Sequence, residues 1–170
     1  MGGGGTGRPV SQGGLPAPPD GANPVKTNLL QAIEARLNLI PELATVKRWE
    51  DIPVDLSTLT LPAAFFWEEE NPEPYNRLTK GVLDFWVEVF FTLDADDPAS
   101  YTAFSESAEI VAKKIAGMFA APGDLRAAGF IQAEPGRVVK AKHNPDYGAL
   151  FMGYQLTYVH AAGNAWAINA

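Results

Sequence analysis

Glu68, Glu69 and Glu70 form an unbroken run, and Asp84 lies in the apolar segment that follows. Two carboxylates held close together can divide the roles of acid and base, and several can ligate a divalent cation through oxygen. Carboxylates at the open end of a hairpin more often form a solvated face, and this run does end an apolar stretch, AAFFW. His143 and His160 are the two histidines, and neither lies in a ligand-spaced cluster such as HExxH. Followed by Asn144, Pro145 and Asp146, His143 reads as a turn residue. Ser100, Ser105 and Ser107 lack the GxSxG frame of a hydrolase elbow. The GGGG run does not follow a strand and open a helix, as a phosphate loop must. With no cysteine, thiolate zinc sites, cysteine nucleophiles and disulfides are excluded. The expectation is a chain with no catalytic, cofactor-binding or metal-ligating residues. Arg137, Lys140, Lys142 and His143 form the one basic segment. It reads as a charged edge strand that resists aggregation, with a partner-binding patch as the second reading.

A chain of 170 residues, 46% hydrophobic and 11% aromatic, is long enough for one domain with a real core. No apolar run reaches the ~18 residues of a membrane span, and MGGGGTGRPV lacks the pattern of a signal peptide. The expectation is a soluble, intracellular protein. Its net charge of −7 argues against a duplex-gripping surface, which needs clustered Lys and Arg. An acidic protein can still surround DNA without holding it.

The elements that would position these residues are legible in the spacing. Gly and Pro supply 13 of the first 24 residues, a linker composition, so residues 1–24 are expected to be a flexible arm ahead of a single domain over 25–170. The arm is either a leader or a segment that orders against a neighbouring subunit. Val25, Leu29, Leu30, Ile33, Leu37 and Ile40 follow the helical period until Pro41. A proline-punctuated connection follows, with a short strand near Thr45 to Trp49. Ala63 to Glu70 reads as a strand, the segment from Asn71 to Lys80 as a projecting turn, and Gly81 to Leu93 as the returning strand of a long hairpin.

That returning strand, GVLDFWVEVFFTL, carries Leu83, Phe85, Val87, Val89, Phe91 and Leu93 at every second position, the period of a strand with one buried face. It is expected to be the long edge of the fold. Trp86 and Phe90 fall on the face that should be wet, so something must cover them. The pairing expected across the hairpin puts Phe65 and Trp67 on the core face with Phe85 and Val87, and Phe66, Glu68 and Glu70 on the other with Asp84, Trp86 and Glu88. Asp97 and Pro98 open a second helix, in which Tyr101, Phe104, Ala108, Val111, Ile115, Met118 and Phe119 recur at helical spacing until Pro122. A short turn at Asp124 to Ala128 leads to a second strand pair, Ile131 to His143 and Tyr147 to Ala161. The last strand is apolar on both faces, as a central strand is. Trp166 is an anchor candidate in the final segment. The fold class expected is α+β: a mainly antiparallel sheet built from two long hairpins and packed by two amphipathic helices.

The opening helix NLLQAIEARLNLI, the phrase LPAAFFWEEEN leading into the Gly81 strand, the helix SYTAFSESAEIVAKKIAGMF and the closing strand together resemble the layout of tail terminator and tail-completion (neck) proteins of long-tailed bacteriophages. The likeness covers roughly Val25 to Ala161. It implies a virion protein without catalysis or cofactor, a homo-oligomer whose ring of six subunits caps the tail tube. Such a ring stops tube polymerisation and meets the head-side connector, with the tail tube protein and the connector as partners. DNA would only pass through the lumen, and no membrane is involved. On this reading Trp86, Phe90, Tyr154 and Tyr158 are candidates for the subunit interface. Glu68, Glu70, Asp84 and Glu88 are candidates to face the lumen, and Tyr75, Arg77 and Lys80 to contact the tube or connector. A head-tail adaptor, a minor tail subunit, and a non-viral binding module with an aromatic face are the alternatives.

Overall fold

The computed structural model describes residues 25–49, 54–70 and 80–160, with Glu70 described by its backbone alone. The arm of residues 1–24, Tyr75 and Arg77 in the hairpin turn, and Trp166 lie outside them. The elements run α1 (Val25–Leu37), β1 (Thr45–Arg48), β2 (Ala63–Glu70), β3 (Lys80–Thr92), α2 (Pro98–Ala120), β4 (Phe130–Asn144) and β5 (Tyr147–Val159). Short 3₁₀ turns lie at Leu56–Thr58 and Gly123–Ala128. The fold is α+β. None of the described helices is long and apolar enough to cross a membrane.

The helices form where the period demands. In α1, Val25, Leu29, Leu30, Ile33 and Leu37 are buried along one stripe. In α2, the Asp97 carboxylate accepts the Ala99 N–H at 2.9 Å, and Pro98 occupies the first turn, where its missing N–H costs nothing. Phe104, Ala108, Val111, Ile115, Met118 and Phe119 then face inward.

The five strands lie in the order β1-β2-β3-β5-β4. β1 runs parallel to β2 over four residues, and all other neighbours are antiparallel. β3 is therefore the middle of the sheet and not its long edge; β4 holds that place. β5 lies between β3 and β4, an interior strand as its two apolar faces require.

Both helices pack on one face of the sheet. Leu83, Phe85, Val87, Val89, Phe91 and Leu93 join that core, each no more than 4% exposed, together with Leu150, Met152, Tyr154, Leu156 and Tyr158 of β5. At roughly 1.5–3 kcal/mol for each large apolar side chain fully buried, the β3 row alone supplies a large part of the driving force. Tyr158 lies over its cross-strand partner Gly81, where a Cβ would fall 2.0 Å from the ring, so only glycine leaves room for it there. The turn between β4 and β5 is tied to the chain leaving β3: the Leu93 N–H donates to the Asp146 carbonyl at 2.9 Å and the Ala95 N–H to that of Pro145 at 3.1 Å.

The register of the first hairpin reverses the expected faces. Phe66 pairs with Val87 and Ala64 with Val89, so these two β2 residues enter the helix-side core. Phe65 pairs with Glu88 and Trp67 with Trp86, on the opposite face. Side chains alternate strictly along a strand, so a shift of one residue exchanges the two faces.

Arg36 fastens the two helices together. Its Nη1 donates to the carbonyl oxygens of Met118 (3.2 Å), Ala121 (3.0 Å) and Pro122 (2.7 Å), and Asp124 lies 3.6 Å away. The end of α2 leaves carbonyls without helical partners, and a cation there satisfies both their hydrogen bonding and the helix dipole. Arg36→Ala is expected to lower stability by about 2 kcal/mol, read as a lower urea midpoint at unchanged slope. An unchanged midpoint would mean that apolar packing alone docks α1.

Candidate functional site

The face of the sheet turned away from the helices carries the unusual chemistry. Trp67 stacks on its cross-strand partner Trp86 with ring centroids 5.9 Å apart and an interplanar angle of 26°. Trp49, just after β1, meets Phe65 edge-on at 5.7 Å and Trp67 at 5.7 Å, while Phe151 of β5 lies 6.1 Å from Trp67. Gly153 stands opposite Trp86, and a Cβ there would lie 3.2 Å from the indole, so the glycine lets the ring settle onto the sheet.

Cover on this face is uneven. At one end the segment around Leu56 lies over Phe65, Phe90 and Ala149, leaving Phe65 1% and Phe90 4% exposed, and Val54, Leu59, Leu61 and Tyr147 complete that small cluster. At the other end Trp67, Trp86 and Phe151 are half-buried and Trp49 is 38% exposed. Phe90 thus finds its cover within its own chain, whereas Trp86 is only partly shielded.

The carboxylates divide between the two faces. Glu69 stands directly opposite Asp84, and Glu88 lies between Phe65 and Phe151, all on the open face. Glu68 is opposite Phe85, on the helix side, and is ion-paired to Arg48. The register that moves Phe66 into the core carries Glu68 with it, so Glu68 does not share a face with Asp84 and Glu88 as the sequence suggested. Glu88 is half-buried. Burial pushes its pKa above the ordinary glutamate value, and attraction to His143 offsets part of that. His143 is not a turn residue: it belongs to β4, and its ring meets Phe90 edge-on at 5.0 Å.

Tyr154 and Tyr158 are each 7% exposed within the helix-side core, which leaves little of either for a neighbour. Tyr154 packs 4.7 Å from Phe119, and burial pushes its phenol pKa up. Lys80 is exposed at the start of β3, opposite Val159. Sequence reasoning missed Trp49 and Phe151 as members of the open-face cluster and placed Trp67 in the core. The alternation along β5 already set Phe151 apart from Leu150 and Met152, but which parity of β2 faced the helices was not readable.

Little else invites chemistry. A cleft of about 240 Å³ between Leu61, Pro62 and the α2 residues Ser100, Phe104 and Ser107 has no titratable group in its lining. Among the described residues no cluster of three or more His, Asp or Glu is placed to hold a metal ion.

No protein-family model matches the chain, and no curated protein matches it. Among solved structures, a chain of the virion of a native gene transfer agent particle is similar over 82% of this chain and 96% of its own length. The identity is 14% and the TM-score 0.38, too low to establish a shared fold.

The half-buried Glu88 makes stability depend on pH. The folded state holds the Glu88 proton more tightly than the unfolded chain, so stability falls as pH rises from the ordinary glutamate pKa, about 4.3, towards the raised folded value. Below that window the burden is absent. Glu88→Gln is therefore expected to be more stable than the parent at pH 7 and equal to it below about pH 4, measured by urea unfolding across pH. A variant less stable at pH 7 would show that the attraction to His143 outweighs desolvation.

Proposed function

We propose that this chain is a structural subunit of a phage-like particle, forming a ring that caps the tail tube, stops its growth and joins it to the head-side connector. The observation that carries the reading is the asymmetry of the sheet. One face is closed by two helices, while the other leaves Trp49, Trp67 and Trp86 partly in water beside Glu69 and Asp84. Exposed apolar clusters of this kind mark surfaces that a partner completes. The layout of helices and hairpins, read from the sequence, agrees with a tail terminator.

In the ring, Trp86 and its neighbours meet adjoining protein. Glu69, Asp84 and Glu88, on the open face, are the acids available to the lumen, where negative charge keeps DNA sliding. The segment ending at Lys80, with Tyr75 and Arg77, contacts the tube or connector. The chain works by shape and mass action, without catalysis or cofactor.

A binding module is the second reading, favoured by the same tryptophan cluster, which can seat a peptide. Electron microscopy of the purified protein, alone and with tube protein, separates the two. Closed rings and tubes of limited length are expected. A stable monomer at high concentration, with tube growth unaffected, would favour the binding module.

A further inference from the structure

Beyond the open face, the outer edge of β4 has no strand beside it among the described residues. Irregularities interrupt its pairing with β5 between Phe130 and Gln132, Pro135 and Val138, and Lys142 and Asn144, so residues 138–142 form one regular run. Among the described residues, no backbone group of this run bonds outside the β4–β5 ladder. In an antiparallel pair alternate residues direct both N–H and C=O away from the partner strand. The run therefore presents an unused row of donors and acceptors.

The two faces of the run differ in chemistry. Val138, Lys140 and Lys142 stand opposite Met152, Leu150 and Gly148, on the helix side, and Val139 and Ala141 stand opposite Phe151 and Ala149, on the open side. Val138 is 53% exposed, and Lys140 and Lys142 are exposed as well. Lysines guard an edge by standing where a stray strand would dock. These two lean onto α2 instead: Lys140 donates to the Ser105 hydroxyl at 3.2 Å, and the Lys142 amine lies 5.7 Å over the Tyr101 ring. The backbone edge is left clear, with two cations beside it on one face. Neither is ion-paired among the described residues, and nearby Glu109 is paired with Lys113 at 3.1 Å.

We infer that this edge takes an extended segment of another protein, one with two acidic side chains spaced two residues apart and apolar side chains between and beside them. Directly opposed residues of neighbouring strands share a face. Acids opposite Lys140 and Lys142 thus lie together on the helix side, while apolar residues cover Val138 on that face and Val139 and Ala141 on the other. Strand addition supplies the backbone hydrogen bonds, and the spacing of the acids sets partner and register. A second copy of β4 does not fit, because antiparallel pairing of the run with itself crowds lysines on one face. The inference goes beyond the ring reading and does not depend on it.

Fluorescence anisotropy with labelled heptapeptides tests it. The probe carries glutamate at its third and fifth positions and valine or threonine elsewhere, and it is expected to bind and to slow hydrogen exchange in residues 138–142. An isomer with its two glutamates adjacent puts them on opposite faces and is expected to bind about threefold more weakly. The probe N-methylated throughout loses its backbone donors and is expected to bind at least about tenfold more weakly. Lys140→Glu with Lys142→Glu is expected to weaken probe binding at least about tenfold and to bind the lysine counterpart of the probe instead, which shows that the variant is folded. Absence of probe binding by the parent, equal binding of the isomer or the methylated peptide, or undiminished binding by the variant would overturn the inference.

Discussion

The pairing of β2 with β3 is the constraint on which the rest of the structure depends. Phe66 against Val87 and Ala64 against Val89 complete the core beneath the two helices. The same register sends Trp67 to Trp86 and Phe65 to the cluster around Phe90. A slip by one residue would place Trp67 and Glu69 under the helices and expose Phe66. Burial of Phe66 is worth roughly 1.5–3 kcal/mol against a net stability of about 5–15, and the slip would exchange it for a carboxylate under the helices.

The chain thereby separates two tasks. The helix-side core is closed and uniform, with Arg36 tying α1 to the end of α2 and Tyr158 filling the space above Gly81. The open face is heterogeneous: a self-covered end at Phe65 and Phe90, then a half-exposed tryptophan cluster beside carboxylates. Glu88, raised by burial next to His143, marks the border between them. A domain that needed only its own stability would have little reason to leave Trp49 and Trp86 at a water boundary.

Much of this was legible in the sequence. Helical spacing and the Asp97–Pro98 start located both helices, because 3.6-residue periodicity and end signals are local. Alternation located β3, apolar runs bounded by turn formers located β2 and β5, and two apolar faces placed β5 inside the sheet. What was not legible depends on contacts far apart in sequence. Strand order decides that β3 is central and β4 the long edge, and no local pattern reports it. The turn from Asn71 to Lys80 is too long to fix register, as a two-residue turn would, so the parity of β2 was open and Glu68 was assigned to the wrong face. His143 resembled a turn residue because Asn144-Pro145-Asp146 follows it, yet the strand runs through it to Asn144.

Hydrogen–deuterium exchange at low and high protein concentration tests the central claim, that the open face of the sheet is completed by other copies. The account predicts that amides of the sheet and of the open-face segment around Leu56 are more strongly protected in the concentrated protein than in the dilute one, while those of α1 hardly change. Assembly that protected the outer surface of the helices and left the sheet exchanging as before would contradict it.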